Sequence, residues 1–391
     1  MDKAAEGSQT RTQDLKKPLL ERLGLEYLRR RSQALPRAFA SDAISLLNPE
    51  ERRALSAIVR GAVLRAGLAG ALSAGISAAA EVLADHLFTT TPADVHEKMR
   101  YWALVGGATV IAAILEILFL YWDSLRAVHE MSRAAGLDPF ATSQSDEQAA
   151  VAAALARAAL ELPNPTEHAF GVNPRREASK LRLASASLLY KVKVSITNFL
   201  IKIVVRRITG RALVRTWLPF VAVPGTAAWN AIVCYIVLRE ARIRVMGPSA
   251  AKELITAIFD QGIDPSPEAR MTFVRAVASS IVRTEDLHPN LYAVLAEVTS
   301  RVEVPIPDGI DDSAAFLQCL AKLSPEEQRL ALQVLSTAAI IDGRFTSAER
   351  RLIREAQEAC GRTGDEKVAE RLRKAFISGD GSLDALIRTS I

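Results

Sequence analysis

Cysteine is scarce in this chain. Its 391 residues include only three, Cys234, Cys319 and Cys360, and no two of them form a CxxC pair. An odd and widely spaced set argues against a disulfide framework and is typical of a reducing compartment. The five histidines are scattered and do not cluster with the cysteines.

The motifs of the common catalytic sites are also missing. The sequence contains no GxSxG, no GxGxxG and no GxxxxGK[ST]. His96-Glu97 and His129-Glu130 each begin an HExxR, whereas a zinc protease helix needs HExxH. We therefore expect that the protein is not an enzyme and has no catalytic residue and no cofactor, apart from a divalent metal considered below.

The excess of positive charge is small, with 49 Lys and Arg against 44 Asp and Glu, a net charge of +5. No sequence signal of a nucleic-acid-binding fold accompanies the basic residues. The arginine clusters instead adjoin long apolar runs: Arg52-Arg53, Arg206-Arg207 and Arg239-Arg242-Arg244. Such flanks anchor helices at anionic leaflets. We expect a lipid bilayer as a partner and no nucleic acid.

Residues 101–122, YWALVGGATVIAAILEILFLYW, form a run of membrane-spanning length. As a helix they cover about 33 Å, close to the thickness of bilayer hydrocarbon. A Tyr-Trp pair lies at each end, Tyr101-Trp102 and Tyr121-Trp122, as an aromatic belt requires. The pattern predicts a spanning helix with its interface aromatics.

Glu116 lies inside this run. An ionisable residue in a span is a functional candidate by default, and Lys191, Lys193 or Lys202 could neutralise it. The structural alternative is an ion pair or a side chain that reaches the nearby headgroups.

Residues 216–238, TWLPFVAVPGTAAWNAIVCYIVL, carry no charge at all. Pro219, Pro224 and Gly225 predict a broken helix or a re-entrant turn in the first half of this run. The four tryptophans of the chain all lie in these two apolar runs: Trp102, Trp122, Trp217 and Trp229. We count Trp217 among the interface aromatics.

Two further segments are candidates for crossing. Asn48-Pro49 opens a helix with a span near residues 61–86, where Ala66–Gly70 and Ala71–Gly75 place small residues at the spacing that lets helices approach closely in lipid. Residues 181–205 form an apolar helix with a polar stripe, which either spans or lies along the interface. Four crossings or two remain open, and an even number puts both termini on one side.

Residues 250–391 alternate charged and apolar positions at the helical period, with no run long enough to span. In AAIIDGRFTSAERRLI, residues 338–353, an EF-hand alignment puts Ala338 and Ile340 where calcium needs oxygen ligands. Thr346 to Glu349 reads instead as a capping box, and Asp342-Gly343 as a turn. A similar corner lies 58 residues earlier, so the pattern predicts two similar helical hairpins.

The segment LSTAAIIDGRFTSAERRLIREA resembles the TerB-like helical domain of tellurite-resistance and related bacterial proteins. Over residues 250–378 the resemblance implies a cytosolic helical domain that binds a divalent metal through acidic residues. Asp342 and Glu349 occupy the matching positions, and Glu285 and Asp286 lie near the equivalent corner of the first hairpin, which lacks the Asp-Gly.

A fainter resemblance lies at LPFVAVPGTAAWNAIVCYIVLREARI, around residues 211–247, which is similar to the EcsC-like membrane-associated region of bacterial proteins. That family has no settled biochemical activity. The resemblance therefore implies a location more than a function.

The sequence thus predicts an all-α protein with a basic arm at 1–47, a helical membrane region at 48–247 with a last span near 213–238, and a soluble helical bundle at 250–391. We expect a bacterial inner-membrane protein with both termini in the cytoplasm. Its C-terminal domain would sense or recruit protein partners, in envelope or metal stress. Ion or solute transport through Glu116 and the lysine helix, and divalent-metal binding, are alternatives, and a homo-oligomer is left open.

Overall fold

The computed structural model describes residues 19–33, 47, 49–88, 95–135, 172, 218–284, 288–302, 309–362 and 366–379. In these ranges every regular element is an α-helix, which confirms the all-α prediction for this part of the chain. The helices in chain order are α1 Leu19–Gln33, α2 Pro49–Leu87, α3 Val95–Ala134, α4 Leu218–Phe259, α5 Pro267–Thr284, α6 Pro289–Val302, α7 Ser313–Leu320, α8 Pro325–Ile340, α9 Ser347–Ala359 and α10 Glu366–Ser378.

The chain divides into two compact units. The apolar unit comprises Ser56–Ala127 and Ser179–Arg239, and the bundle unit comprises Met1–Leu55, Val128–Ala178 and Glu240–Ile391. The long helices α2, α3 and α4 each contribute residues to both units without a break in the helix. The boundary between the two units therefore falls inside these three helices rather than in linkers. In α4 the boundary lies between Arg239 and Glu240, before the Gly247-Pro248 pair.

Helix α4 is continuous from Leu218 to Phe259, so the predicted break at Pro219, Pro224 and Gly225 is wrong. Pro219 lies in the first turn, where backbone N–H groups have no intrahelical acceptor anyway. Pro224 removes one hydrogen bond, a loss that neighbouring helices commonly make tolerable in membrane helices. The helix also continues through Pro248.

The apolar unit turns large hydrophobic side chains outward. In the described residues, α2 and α3 are long and apolar enough to cross a membrane, and almost none of the most apolar stretch of α3 is buried within the protein. The outward side chains include Leu64, Leu68, Leu72, Ile111, Ile114, Leu115, Leu118, Ile232, Tyr235 and Ile236, each more than half exposed. A water-soluble core helix would hide such side chains.

The bundle unit is organised around α5, which packs against α6, α7, α8 and α9. Helix α8 packs against α5, α9 and α10. Both central helices are buried over most of their circumference: every residue of α8 from Leu330 to Ile340 is buried. A helix enclosed in this way is mostly apolar on all sides. Among its buried polar side chains, Gln333 of α8 accepts a hydrogen bond of 2.9 Å from Gln261, which follows α4.

Two similar hairpins build this bundle, as predicted. Helices α5 and α8 begin 58 residues apart at Pro267 and Pro325, and α6 and α9 begin 58 residues apart at Pro289 and Ser347. The apolar positions matched at this offset are all buried: Val274 and Leu332, Val277 and Leu335, Val294 and Leu352, Leu295 and Ile353. The repeat is thus expressed in helix starts and in core positions together.

One carboxylate caps both hairpins. Glu327 accepts hydrogen bonds from the backbone N–H and the hydroxyl of Ser324, in the capping box of α8, and from the backbone N–H of Ser266, the residue before α5. The side chain of Ser266 has the largest influence on this carboxyl. Together with the backbone N–H of Ser266 and the bonds from Ser324, it lowers the pKa of Glu327 to about 2 against the opposing effect of burial. The resulting stabilisation is fully present above pH 4.5 and is lost as the pH falls from there towards 2.

Candidate functional site

The predicted interface aromatics Tyr101, Trp102, Tyr121 and Trp122 all lie on α3. Trp102 is 64% exposed and Trp122 is 42% exposed, and twenty residues of helix separate them by about 30 Å. The Arg126 guanidinium lies over the Trp122 ring, 5.7 Å from the ring centroid. Two outward indoles one hydrocarbon thickness apart fit the two interfaces of a bilayer. Trp217 lies outside the described residues.

Glu116 is paired inside the apolar unit. Its Oε1 accepts a hydrogen bond of 2.6 Å from the Nδ2 of Asn230, a buried side chain on α4. The predicted neutralising residues Lys191, Lys193 and Lys202 lie outside the described residues. The contact with Asn230 joins two apolar helices through a polar pair, the arrangement by which membrane helices satisfy a buried polar group. Sequence reasoning did not single out Asn230.

Helix α2 approaches the same point through a glycine. A Cβ on Gly70 would lie 2.6 Å from Asn230 Nδ2 and 2.9 Å from the Thr226 carbonyl oxygen, so only glycine allows this approach. Gly67, one turn earlier, faces Ala227 and Ala231. Of the two predicted small-residue pairs, Ala66–Gly70 is buried, whereas a Cβ on Gly75 would meet no atom within 4 Å.

An ion pair marks one end of this unit. Arg65 on α2 and the buried Asp123 on α3 lie 2.9 Å apart. Gly70 lies five residues after Arg65 on α2, and Glu116 lies seven residues before Asp123 on α3. Both Gly70 and Glu116 contact Asn230. The two helices therefore run antiparallel. Going from Gly70 back to Gly67 moves the contacts one residue forward on α4, which indicates that α4 also runs opposite to α2.

We predict that Gly70→Ala destabilises the apolar unit by about 1–3 kcal/mol, because the added methyl group has to push Asn230 and the Thr226 backbone away. All four tryptophans belong to this unit, so thermal unfolding followed by tryptophan emission in detergent reports on it. Gly75→Ala is the matched control on the same helix, with open space for the methyl group. Equal melting temperatures for the two variants would contradict the close approach at Gly70.

The second candidate site is the corner between α8 and α9. Thr346 and Glu349 form the predicted capping box: the Thr346 hydroxyl accepts from the Glu349 N–H, and Glu349 Oε2 accepts from the Thr346 N–H at 2.7 Å. Asp342 is buried and accepts from the Arg344 N–H at 2.8 Å. Gly343 has φ of +73°, and a Cβ there would meet Ile243. Capping and turn geometry thus account for these residues.

Glu349 is nevertheless unusual because its side chain is fully buried and its Oε1 makes no hydrogen bond. Burial, with the neighbouring charge of Asp342, raises the pKa of Glu349 to about 8 against the bonds from Thr346. No group of three or more metal-ligating side chains occurs among the described residues. The candidates Glu285 and Asp286 lie outside the described residues, so Asp342 and Glu349 are the two predicted ligands that the structure places.

We predict that Glu349→Gln stabilises the protein at neutral pH, by on the order of 2 kcal/mol, while keeping the cap. Between pH 4.5 and 8 the folded state holds a proton on Glu349 that the unfolded state releases. The contribution of this protonated carboxyl to the stability of the parent chain is therefore fully present below pH 4.5 and is lost as the pH rises to 8. The gain from glutamine should grow over that window, measured by amide exchange at the start of α9, with the exposed Glu358→Gln as control.

If a divalent metal ion bound at Asp342 and Glu349, we would expect Glu349→Gln to destabilise the protein instead. Divalent metal at about millimolar concentration would then stabilise the parent chain and not Glu349→Gln. A metal-dependent gain in the parent chain, with a glutamine variant that is less stable at every pH, would contradict the protonated cap.

A third polar cluster lies where α4 enters the bundle unit, and sequence reasoning missed it. Glu240 Oε1 lies 3.0 Å from His288 Nε2 and 3.1 Å from the buried Arg244, and Glu240 Oε2 lies 3.8 Å from Arg344. Burial opposes ionisation, but the hydrogen bond from His288 and the charges of Arg244 and Arg344 outweigh it and lower the pKa of Glu240 to about 2. One carboxylate on α4 thereby contacts both hairpin corners.

His288 occupies the position that Thr346 has in the second hairpin, 58 residues later. Its ring is fully buried, and Nδ1 accepts from the backbone N–H of Asn290, so the ring proton lies on Nε2 and points to Glu240. Had the repeat offset been applied to Thr346, the histidine before Pro289 would have been predicted as the cap of α6.

Asn290 completes the cluster. Its Nδ2 donates to the carbonyl oxygens of Ile243 on α4, at 2.9 Å, and Ile341 at the end of α8, at 2.7 Å. A Cβ on Gly247 would overlap the Asn290 side chain. Pro248, next to it, has no N–H to donate to the Arg244 carbonyl. Gly247-Pro248 is therefore a docking point inside a helix and not a domain linker.

Comparison of this chain with protein-family models, with curated proteins and with solved structures finds no match. The TerB-like and EcsC-like resemblances therefore remain predictions from the residues quoted for them.

Proposed function

We propose that this chain is a non-enzymatic protein of the bacterial inner membrane whose cytoplasmic helical bundle senses or recruits partner proteins, in envelope or metal stress. Helices α2, α3 and α4 anchor it, and the hairpins α5–α6 and α8–α9 present its docking surface. The resemblance to TerB-like domains supports the bundle's role, and the outward apolar side chains of α2 and α3 support the anchor.

The observation that carries this proposal is the contact of Glu240 with both hairpin corners. The charge-free stretch of α4 ends at Leu238, and Arg239 and Glu240 follow it directly. Helix α4 continues without interruption to Phe259. A rotation or shift of α4 therefore moves the carboxylate that His288 and Arg344 share. Because a half-buried carboxylate is disfavoured when it loses its charged partners, the corners have to follow or release it. This is a mechanism for communication along one helix.

The helix directions support a specific topology. Because α2 runs opposite to both α3 and α4, the ends of α2 and the starts of α3 and α4 belong to one face of the membrane. Leu87, which is exposed at the end of α2, would then be on the periplasmic side, and Ser378, at the end of α10, on the cytoplasmic side.

We predict that the protein stays in membranes washed with alkaline carbonate. We also predict that a single cysteine at Leu87, in a background with Cys234, Cys319 and Cys360 replaced, reacts with an impermeant maleimide in intact spheroplasts. A cysteine at Ser378 is the matched control and should react only after the membrane is opened. Release of the protein by carbonate would contradict the proposed membrane anchor. Labelling of both positions in intact spheroplasts would contradict the proposed topology.

We predict that Glu240→Gln loosens both corners together, by about 3 kcal/mol, because the buried Arg244 loses its counter-charge. Amide exchange at the starts of α6 and α9, measured in lipid nanodiscs, should rise in both segments. Glu297→Gln removes an i,i+4 pair with Arg301 inside the bundle and should change neither start. Loosening of only one corner would show that Glu240 does not join them.

Transport is the second candidate, favoured by the pairing of Glu116 with Asn230. A carboxylate held between apolar helices is the kind of group that binds ions or protons in transporters. Transport would depend on the charge of Glu116, whereas anchoring and recruitment would tolerate its replacement by glutamine, which keeps an acceptor for Asn230. Divalent-metal binding at Asp342 and Glu349 is the third, and the pH dependence of the α8–α9 corner separates it from the first.

A further inference from the structure

Helix α10 packs on the bundle unit through one apolar stripe. Among its described side chains the buried ones are Ala369, Leu372 and Phe376, at positions i, i+3 and i+7, and the helix packs against α8 and α9. Exposed side chains, Arg371 and Lys374 among them, lie on the opposite side of the helix. Apolar anchors at this spacing are the pattern by which a groove binds an amphipathic helix of another protein.

A single arginine adds a polar anchor beside this stripe. The Nη1 of Arg373 donates to the carbonyl oxygen of Gly343, in the turn formed by residues 341–346 between α8 and α9, at 3.2 Å. Glu370, on α10 itself, accepts from Arg373 at 2.6 and 2.8 Å and so orients the guanidinium. The hydrogen bond with Glu370 raises the pKa of Arg373 against the effect of burial, and the charge of the buried Asp342 adds to the rise. The α8–α9 turn therefore offers a guanidinium one hydrogen-bond acceptor and one nearby negative charge.

The C-terminal end of α10 is bound as well. The Arg242 guanidinium on α4 donates at 3.0 Å to the carbonyl oxygen of Ser378, one of the carbonyls that a helix end leaves without an intrahelical donor. Gly379 follows with φ of +70°, and a Cβ there would lie 3.4 Å from the Arg242 Nη2. All these groups belong to the bundle unit. They define a register, because the arginine of the bound helix lies five residues before the helix end.

We propose that the α8–α9 turn is an arginine-binding site, and that α10 fills it in place of an arginine-bearing helix of the recruited partner protein. The inference rests on the proposed recruitment function, for which it names the kind of partner. That partner carries an amphipathic helix with apolar residues at i, i+3 and i+7 and an arginine at i+4, as α10 does. Arginine is required rather than lysine because its planar donors serve a carbonyl oxygen and a carboxylate together.

The attachment of α10 is coupled to α4. Arg242 holds the C-terminal end of α10, and a Cβ on Gly343 would meet Ile243, the next residue of α4. Both polar attachments of α10 therefore adjoin the same turn of α4. A rotation or shift of α4 of the kind proposed above acts on both together, and release of α10 opens the groove and the α8–α9 turn to the partner helix.

The first test makes α10 exchangeable in the full chain, in detergent. A recognition site for a specific protease replaces residues 363–365, and cleavage there removes the covalent link between α9 and α10. A fluorescent peptide of residues 366–378 should bind the cleaved chain about tenfold or more tighter than the uncleaved chain, in which α10 has a high effective concentration. The peptide with Arg373→Ala should bind about tenfold more weakly. The matched peptide with Arg371→Ala, at an exposed position, should bind as the parent peptide does.

The second test leaves the chain uncut. Arg373→Ala should speed the amide exchange of α10 about tenfold, and ethylguanidinium at about 10 mM should slow it again, because the free guanidinium refills the vacated site. Ethylammonium carries the charge without the planar donors and should not slow it. Arg371→Ala should exchange like the parent chain with either ion.

Equal affinity of the parent and Arg373→Ala peptides would overturn the inference, and so would exchange that ethylguanidinium does not slow. Slowing by magnesium ions instead would assign the turn to a divalent metal and would also overturn it. If no peptide bound the cleaved chain, α10 would be a permanent part of the bundle and a partner helix could not replace it. None of these measurements needs a membrane or a partner, so carbonate washing and Glu240→Gln test the proposed function separately.

Discussion

The junction of α4 with the two hairpin corners depends on one half-buried carboxylate. Glu240 lies on α4, and the groups that keep it ionised come from three places: Arg244 on the same helix, His288 at the first corner and Arg344 at the second. Removing a charge from water is expensive unless partners surround it, so this residue ties the positions of α4 and both corners to one another. Asn290 adds two neutral hydrogen bonds across the same junction. The hairpins are thus located by polar contacts as well as by the apolar core of α5 and α8.

The apolar unit follows a different rule. Its outer side chains are hydrophobic, and its inner contacts are small or polar: Gly67 and Gly70 against α4, and Glu116 with Asn230. In water the hydrophobic effect would turn this arrangement inside out. In lipid the outer side chains gain nothing from burial, and helix association comes from close backbone approach and from hydrogen bonds between helices. The distribution of residues in this unit is therefore consistent with two helices, α2 and α3, that are long and apolar enough to cross a membrane.

Periodicity and capping signals predicted much of the fold. Pro49 opens α2, the capping box opens α9, and the 58-residue offset reproduces the starts of both hairpins, because these features depend on local backbone chemistry. The predicted break in α4 was wrong, because the sequence alone does not show which hydrogen bonds lost at a proline are tolerated by the neighbouring helices. Asn230 was not predicted as a partner of Glu116, nor His288 and Arg344 as partners of Glu240, because they lie more than forty positions away in the sequence. Glu349 was placed correctly as a cap, but its neutral state depends on burial that only packing reveals.

Glu327 has a consequence for how the bundle comes apart in acid. The same carboxylate receives the free backbone N–H groups at Ser324 and at Ser266, so neither central helix has an independent first turn. A single protonation event would weaken two helix starts at once, and the two hairpins should lose their order in one concerted step rather than one after the other. The shared acceptor thus links the unfolding of the two hairpins to the ionisation of one side chain.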